Sequence, residues 1–249
     1  MYKICPKCQH VRLPSEQNDV DRCPSCGLIF SKWMKQQYHQ EKSAIKHDDG
    51  SEFFFRKLLN TLLYVPESIS SSKLVGHALI FLVFFIWGWS FILMNLQSND
   101  IGSSFMHNIN LVFHEAGHVI FRPFGGFMTV LGGSLLQLLV PVVVMVAFIW
   151  KNHDNFGASI GLWWLSQSMM DLAPYINDAR AGQLMLLGGV TGTDMPGVHD
   201  WKNILTDLGL LQQDHAIAWM TDMMGELFML ISFVWGGTIL YLQYQTMKQ

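Results

Sequence analysis

The stretch LVGHALIFLVFFIWGWSFILMNL, residues 74–96, runs for 23 residues without Asp, Glu, Lys or Arg. A helix of that length covers about 35 Å, enough to cross the hydrocarbon core of a bilayer. Its one titratable residue is His77, near the start. This stretch decides the fold class: an all-α polytopic membrane protein. Four apolar segments follow it. Residues 105–121 are the least hydrophobic, because they carry Asn108, Asn110, His114, Glu115 and His118. Residues 124–150 form the longest apolar run, 156–176 the next, and 217–242 a last one interrupted by Asp222 and Glu226. About five transmembrane helices are therefore expected. Small residues (Gly132 and Gly133, Gly157 and Gly161, Gly236 and Gly237) let such helices approach closely.

The whole composition agrees. Of 249 residues, 50% are hydrophobic and 14% charged, whereas soluble domains carry roughly a quarter charged. That excludes an ordinary soluble enzyme and a disordered chain. The net charge of -3 gives no sign of nucleic-acid binding. Residues 1–73 hold 11 of the 16 Lys and Arg, which predicts a cytoplasmic amino-terminal region on a plasma (inner) membrane, with Arg122 and Arg180 on the same side. Such a stretch does not read as a secretory leader, so no cleaved signal is expected. With five spans the carboxyl terminus lies outside. Residues 184–190 are apolar enough to re-enter the membrane. Residues 190–216, rich in Gly, Asp and Thr, read as a cytoplasmic loop with a short amphipathic helix over 201–211.

All four cysteines fall at the start, as Cys5-Pro6-Lys7-Cys8 and Cys23-Pro24-Ser25-Cys26. Two C-x2-C knuckles at this spacing read as a zinc ribbon over residues 1–35, with one structural zinc in a closed shell of four thiolates. Four cysteines also allow disulfides, which a cytoplasmic setting disfavours. Residues 11–20 read as a polar hairpin between the knuckles, and Leu28, Ile29 and Phe30 as an apolar cover. Residues 36–73 form a linker, polar to about residue 52, then an apolar segment with Arg56 and Lys57 suited to the bilayer surface. The ribbon offers a surface for a cytoplasmic protein partner.

The chemistry concentrates in HEAGH, residues 114–118. On a helix His114 and His118 stand one turn apart on one face, so their imidazoles can share a zinc ion. Glu115 beside them is placed to accept a proton from the attacking water. Ionisable groups in an apolar segment are costly and persist where they face a cavity, an ion or each other. Zinc needs a third ligand. Asp171 and Asp178 in DLAPYINDA (171–179) are both candidates, seven residues apart, although Pro174 argues against an unbroken helix between them. His107 reads as a supporting partner or an interfacial residue. His199-Asp200 can serve as a source of the third ligand only if its polar loop folds back toward the membrane. Asp222 and Glu226 could line the same interior, and Gln137 could hold a substrate backbone or pack between helices.

On these motifs the chain resembles the intramembrane zinc metalloproteases of the site-2-protease type, the M50 peptidases. The resemblance covers about residues 105–189. It implies a membrane metalloprotease-like domain over 74–243, a catalytic zinc besides the structural one, and Glu115 as catalytic base. It also makes Asp178 the third metal ligand, with Asp171 as the alternative. The family's second motif reads Asn-x-x-Pro, a hydrophobic step and Asp-Gly. Here Asp171 replaces the first Asn, one residue is missing before the aspartate, and Ala179 replaces Gly. The implied activity is hydrolysis of peptide bonds in or near transmembrane segments of membrane-protein substrates, within the lipid bilayer. Two other functions would use the same residues differently. A metal-ion transporter or sensor needs the histidines and aspartate but not Glu115, and an inactive scaffold that binds a partner through its ribbon needs none of them.

The orientation is tested by single cysteines introduced at positions 43 and 100. A thiol reagent that cannot cross the membrane should label position 100 from outside and spare position 43.

Overall fold

The computed structural model describes residues 3–13, 15–16, 19–45 and 50–248, with the backbone only at 40–45 and 50–52. Among the described residues eight α-helices follow one another: α1 (Phe30–Ile45), α2 (Gly50–Leu62), α3 (Ser71–Ile92), α4 (Phe105–Phe121), α5 (Gly126–Trp150), α6 (Asn155–Asn177), α7 (Asp200–Asp207) and α8 (Asp214–Met247). No β-sheet forms among the described residues; three isolated bridges join Ile4 to Val11, Arg22 to Ile29 and Met185 to Thr191. The chain divides into two compact units, residues 1–60 and 61–249.

In the first unit the two knuckles have the same local build. Cys5 N–H donates to the His10 carbonyl and Gln9 N–H to that of Cys5; Cys23 and Gly27 repeat this with Leu28 and Cys23. Gln9 and Gly27, at matching positions, both take the left-handed conformation, with φ of 57° and 73°. Phe30 is buried against Cys5 and Cys23. Between the knuckles Arg12 donates to the carbonyls of Asp19 and Arg22, tying that segment back. The expected hairpin over 11–20 includes Pro14, Gln17 and Asn18, and the linker includes residues 46–49; these lie outside the described residues. On α2, Phe53, Phe54, Phe55 and Leu58 are exposed.

In the second unit α3, α5 and the helix ending at Met247 are long and apolar enough to cross a membrane. Their exposed faces are hydrocarbon, as at Leu79, Val83 and Ile86 of α3. The other two expected segments are helices too, but more polar ones. Many of their polar side chains turn inward: Asn110 and His114 of α4 and Ser166, Gln167, Ser168 and Asp171 of α6 are all buried, while Asn108 is exposed. The core of this unit centres on Trp163 of α6, packed with Phe91, Met170, Met229 and Phe233, its indole N–H held by the Phe84 carbonyl at 3.0 Å. His77 bonds Gln243 at 3.0 Å and stacks on Phe156, a role in joining α3, α6 and α8.

Three details differ from expectation. Pro174 does not interrupt α6, which runs through it to Asn177, where the Pro174 carbonyl accepts from Asp178 N–H at 3.0 Å. Residues 184–190 form a turn closed by Leu186 N–H on the Val190 carbonyl, with φ positive at Gly188 and Gly189. The loop helix begins at Asp200 and ends at Asp207, capped by the His199 side chain on Lys202 N–H.

The closest crossing lies between α4 and α5. A Cβ on Gly117 would fall 2.1 Å from the Gly132 carbonyl oxygen. Gly117→Ala must push the helices apart, and overpacking of this kind costs about 1–3 kcal/mol. Thermal unfolding in detergent should show a clear fall in midpoint for Gly117→Ala. Gly126→Ala, where nothing lies within 4 Å of the added carbon, should leave it unchanged.

Candidate metal centres

The first cluster joins Cys5, Cys8, Cys23 and Cys26, all free thiols. Cys5 Sγ stands 3.7 Å from Cys26 Sγ, and Cys8 Sγ 3.7 Å from Cys23 Sγ. A disulfide would need about 2 Å. A tetrahedral ion with metal–sulfur bonds of about 2.3 Å separates its sulfurs by about 3.8 Å, which matches. Burial opposes ionisation of Cys5, but the N–H groups of Cys8 and Lys7 and the neighbouring thiols bring it down to about 6. At Cys26 the Leu28 N–H favours the thiolate, yet burial and the other sulfurs push it up to about 12. Four thiolates this close repel one another until a cation joins them.

The second cluster joins His114, His118 and Asp200, whose ligand atoms lie within 4.8 Å of one another. His114 Nε2 is 3.1 Å and His118 Nε2 3.3 Å from the same oxygen, Asp200 Oδ2. The far side of each ring fixes its tautomer. His118 Nδ1 meets the Thr129 carbonyl at 2.8 Å, and a carbonyl only accepts, so the proton sits on Nδ1. His114 Nδ1 meets Gln137 Oε1 at 3.1 Å with the same result. Both Nε2 lone pairs then face the carboxylate, and three electron-pair donors converge with no proton between neutral rings. Such a set of donors is capable of holding a metal ion.

Space is kept by Gly133: a Cβ there would lie 2.6 Å from His114 Nε2 and 2.7 Å from His118 Nε2. Three elements bring the converging groups together. α4 presents the histidines, the α4–α5 crossing leaves the hollow, and α7 brings Asp200 as its first residue. Trp201 anchors α7, donating from its indole to Ser134 Oγ at 3.1 Å and packing beside Leu138, Leu172 and Ile176. The Tyr175 hydroxyl accepts Asp200 N–H at 2.8 Å and donates to Asp200 Oδ2 at 3.2 Å, clamping backbone and side chain together.

The aspartates read from the sequence lie elsewhere. Asp178, the expected third ligand, is not among the converging atoms. Its carboxylate accepts Gln183 N–H and Leu184 N–H, both at 2.9 Å, and faces His199 Nε2 at 3.4 Å. The reason is its place at the C-cap of α6, where the chain turns and its oxygens serve the turn. Burial lowers the pKa of His199, against the opposing pull of Asp178. Its Nδ1 accepts from Lys202 N–H, so the ring presents Nε2–H toward Asp178. Asp171, the alternative, binds His107, Asn110 and Gln137. Asp222 and Glu226 do not reach the cavity beside the histidines.

That cavity has a volume of about 960 Å³ and is lined by His114, Glu115, His118 and Asp200 together with Tyr175 and the apolar turn at Leu184–Leu187. Glu115 is half-buried on its wall and makes no hydrogen bond among the described residues. Asp200 stands out in the sequence only as part of His199-Asp200 ahead of an amphipathic pattern. Tyr175 and Thr129 carry no sequence signal at all. Compared with known protein families, curated proteins and solved structures, the chain matches none.

The two aspartates separate by metal content. Asp200→Asn in detergent should retain the metal of the cysteine cluster and lose the other, because an amide is a poor metal ligand. Asp178→Asn should retain both, measured as metal per chain.

Proposed function

We propose that this chain is an intramembrane zinc metalloendopeptidase of the site-2-protease type, related to the M50 peptidases. It hydrolyses peptide bonds in or near transmembrane segments of membrane proteins. The observation that carries this reading is the convergence of His114, His118 and Asp200 on one wall of a cavity that also presents an unpartnered Glu115. The donor set of two imidazoles and one carboxylate suits zinc with a position left open. Gly133 lets both imidazole rings lie against the α5 backbone, where a Cβ would strike their Nε2 atoms, and so keeps those atoms together with Asp200.

Zinc held there supplies Lewis acidity, polarising the scissile carbonyl and making water nucleophilic at neutral pH. The remaining work falls to the chain. Glu115, with no protein donor to satisfy it, accepts the proton of the attacking water and passes it to the leaving amine. Tyr175 keeps Asp200 from swinging away. The apolar turn at 184–187 covers the cavity and limits water. A helical substrate hides its carbonyls in hydrogen bonds, so the segment to be cut must unwind, which favours substrates with small or helix-breaking residues near the cut.

In this reading α3, α5 and α8 face lipid while α4 and α6 cross the bilayer among them, giving five spans. The amino-terminal unit is a cytoplasmic zinc ribbon with a structural zinc, open to a protein partner. The membrane is the plasma (inner) membrane.

The test is Glu115→Gln, assayed for metal content and for cleavage of a model transmembrane substrate in detergent. Both metals should remain and turnover should fall at least about 100-fold, since general acid–base groups contribute 10²–10⁴. Cleavage near the wild-type rate would end the reading. A transporter would keep ion flux in this variant, and a scaffold would be indifferent to it.

A further inference from the structure

Asp171 and Gln137 stand behind the ligand trio, buried between α4, α5 and α6. Their hydrogen bonds can be followed from a group of fixed polarity. The Trp164 indole N–H can only donate, and it reaches Asn110 Oδ1 at 2.9 Å; Ser168 Oγ donates to the same oxygen at 3.1 Å. Asn110 therefore turns its NH2 the other way, onto Asp171 Oδ2 at 3.0 Å and Gln167 Oε1 at 2.8 Å. Asp171 Oδ1 takes His107 Nδ1 at 2.9 Å. Gln137 Nε2 donates to Asp171 Oδ2 at 3.3 Å and to the Ser168 carbonyl at 3.4 Å. Its Oε1 is thereby left for His114 Nδ1. Five side chains, read from Trp164 to His114, admit only one direction of donation.

We propose that Asp171 and Gln137 are positioning residues for the metal centre. Acting through Gln137, the Asp171 carboxylate keeps the His114 imidazole in its Nδ1–H tautomer and aims the Nε2 lone pair at the metal position. The proposal rests on reading His114, His118 and Asp200 as ligands. The two histidines are held by different means. His118 relies on the backbone carbonyl of Thr129, which no side-chain change removes, whereas His114 relies on two side chains. Loss of the carboxylate has a specific consequence. Asp171→Leu removes the acceptor and leaves the Gln137 amide held only by its 3.4 Å bond to the Ser168 carbonyl, so it can turn its NH2 toward His114 and push the ring proton to Nε2. Asp171→Asn would keep an oxygen facing Asn110 and Gln137 and spare the chain.

The experiment measures zinc per chain against buffered free zinc, with full-length protein in detergent, so that the cysteine cluster is an internal reference. Wild type should fill two sites. Gln137→Met and Asp171→Leu should leave the cysteine site unchanged and weaken the other about 10–100-fold, the usual effect of removing the partner of a metal-bound histidine. Gln137→Glu should stay within a few-fold of wild type. It keeps an acceptor oxygen toward His114, and a proton shared with Asp171 replaces the amide N–H. Ring-nitrogen NMR shifts of His114 in zinc-free buffer should report the proton on Nδ1 in wild type and Gln137→Glu, and on Nε2 in Asp171→Leu. If Gln137→Met does not fold, Asp171→Leu and Gln137→Glu decide the matter. Wild-type affinity in both Gln137→Met and Asp171→Leu would overturn the proposal, as would equal weakening by Met and Glu at 137. Complete loss of the second zinc in Asp171→Leu with none in Asp200→Asn would make Asp171 a ligand and overturn it too. A wild type that binds only one zinc, unaffected by His114→Ala, would remove this proposal and the ligand reading together.

Discussion

Where α4 crosses α5, the Gly132 carbonyl oxygen occupies the place where a side chain at position 117 would begin, and Gly133 leaves open the space beside both histidine rings. Dispersion between backbones in contact supplies the attraction, since lipid offers no hydrophobic drive for helices to associate. The same contact sets the height of the histidines. Thr129 lies one turn before Gly133 and Gln137 one turn after it, so α5 meets His118 and His114 in sequence along its axis. A crossing wider by one methyl group would move both acceptors out of reach. Helix packing and ligand orientation are thus one geometric fact.

The polar interior has a cost that the fold meets locally. Amides and carboxylates buried among helices are tolerated when their donors and acceptors are paired. Asn110 achieves this fully, using both amide hydrogens and its oxygen. α6 carries most of this load and is wrapped by neighbours, which is why its composition is less apolar than that of α3 or α5. The long apolar helices are the hydrophobic ones, and many polar residues of α4 and α6 are buried among them.

The cysteine knuckles and HEAGH are legible because their ligands are neighbours in sequence, where spacing alone determines facing direction. The helical segments were equally plain from hydropathy, with α4 ending at the residues expected. The third member of the second cluster was not legible in the same way. Asp200 is 82 residues beyond His118 in a polar loop, and hydropathy places such a loop away from the interior. What reverses that is the docking of Trp201 and the clamp at Tyr175, contacts made across the fold with no periodic trace. Asp178 misleads for the complementary reason. A carboxylate four residues after a proline at a helix end serves a turn as readily as a metal, and only the positions of Gln183 and Leu184 decide between them.

The placement of Asp200 also orders events during synthesis. A chain emerging from the ribosome completes its cysteine cluster once residue 26 is out, when nothing of the membrane unit yet exists. The histidines follow much later and at first have only each other. Their third donor arrives with the last fifth of the chain, after α3 to α6 have been made. Domains fold as they are synthesised, so the two clusters mature at different times. A nascent chain interrupted before α7 holds a complete cysteine cluster and only two of the three converging side chains of the other.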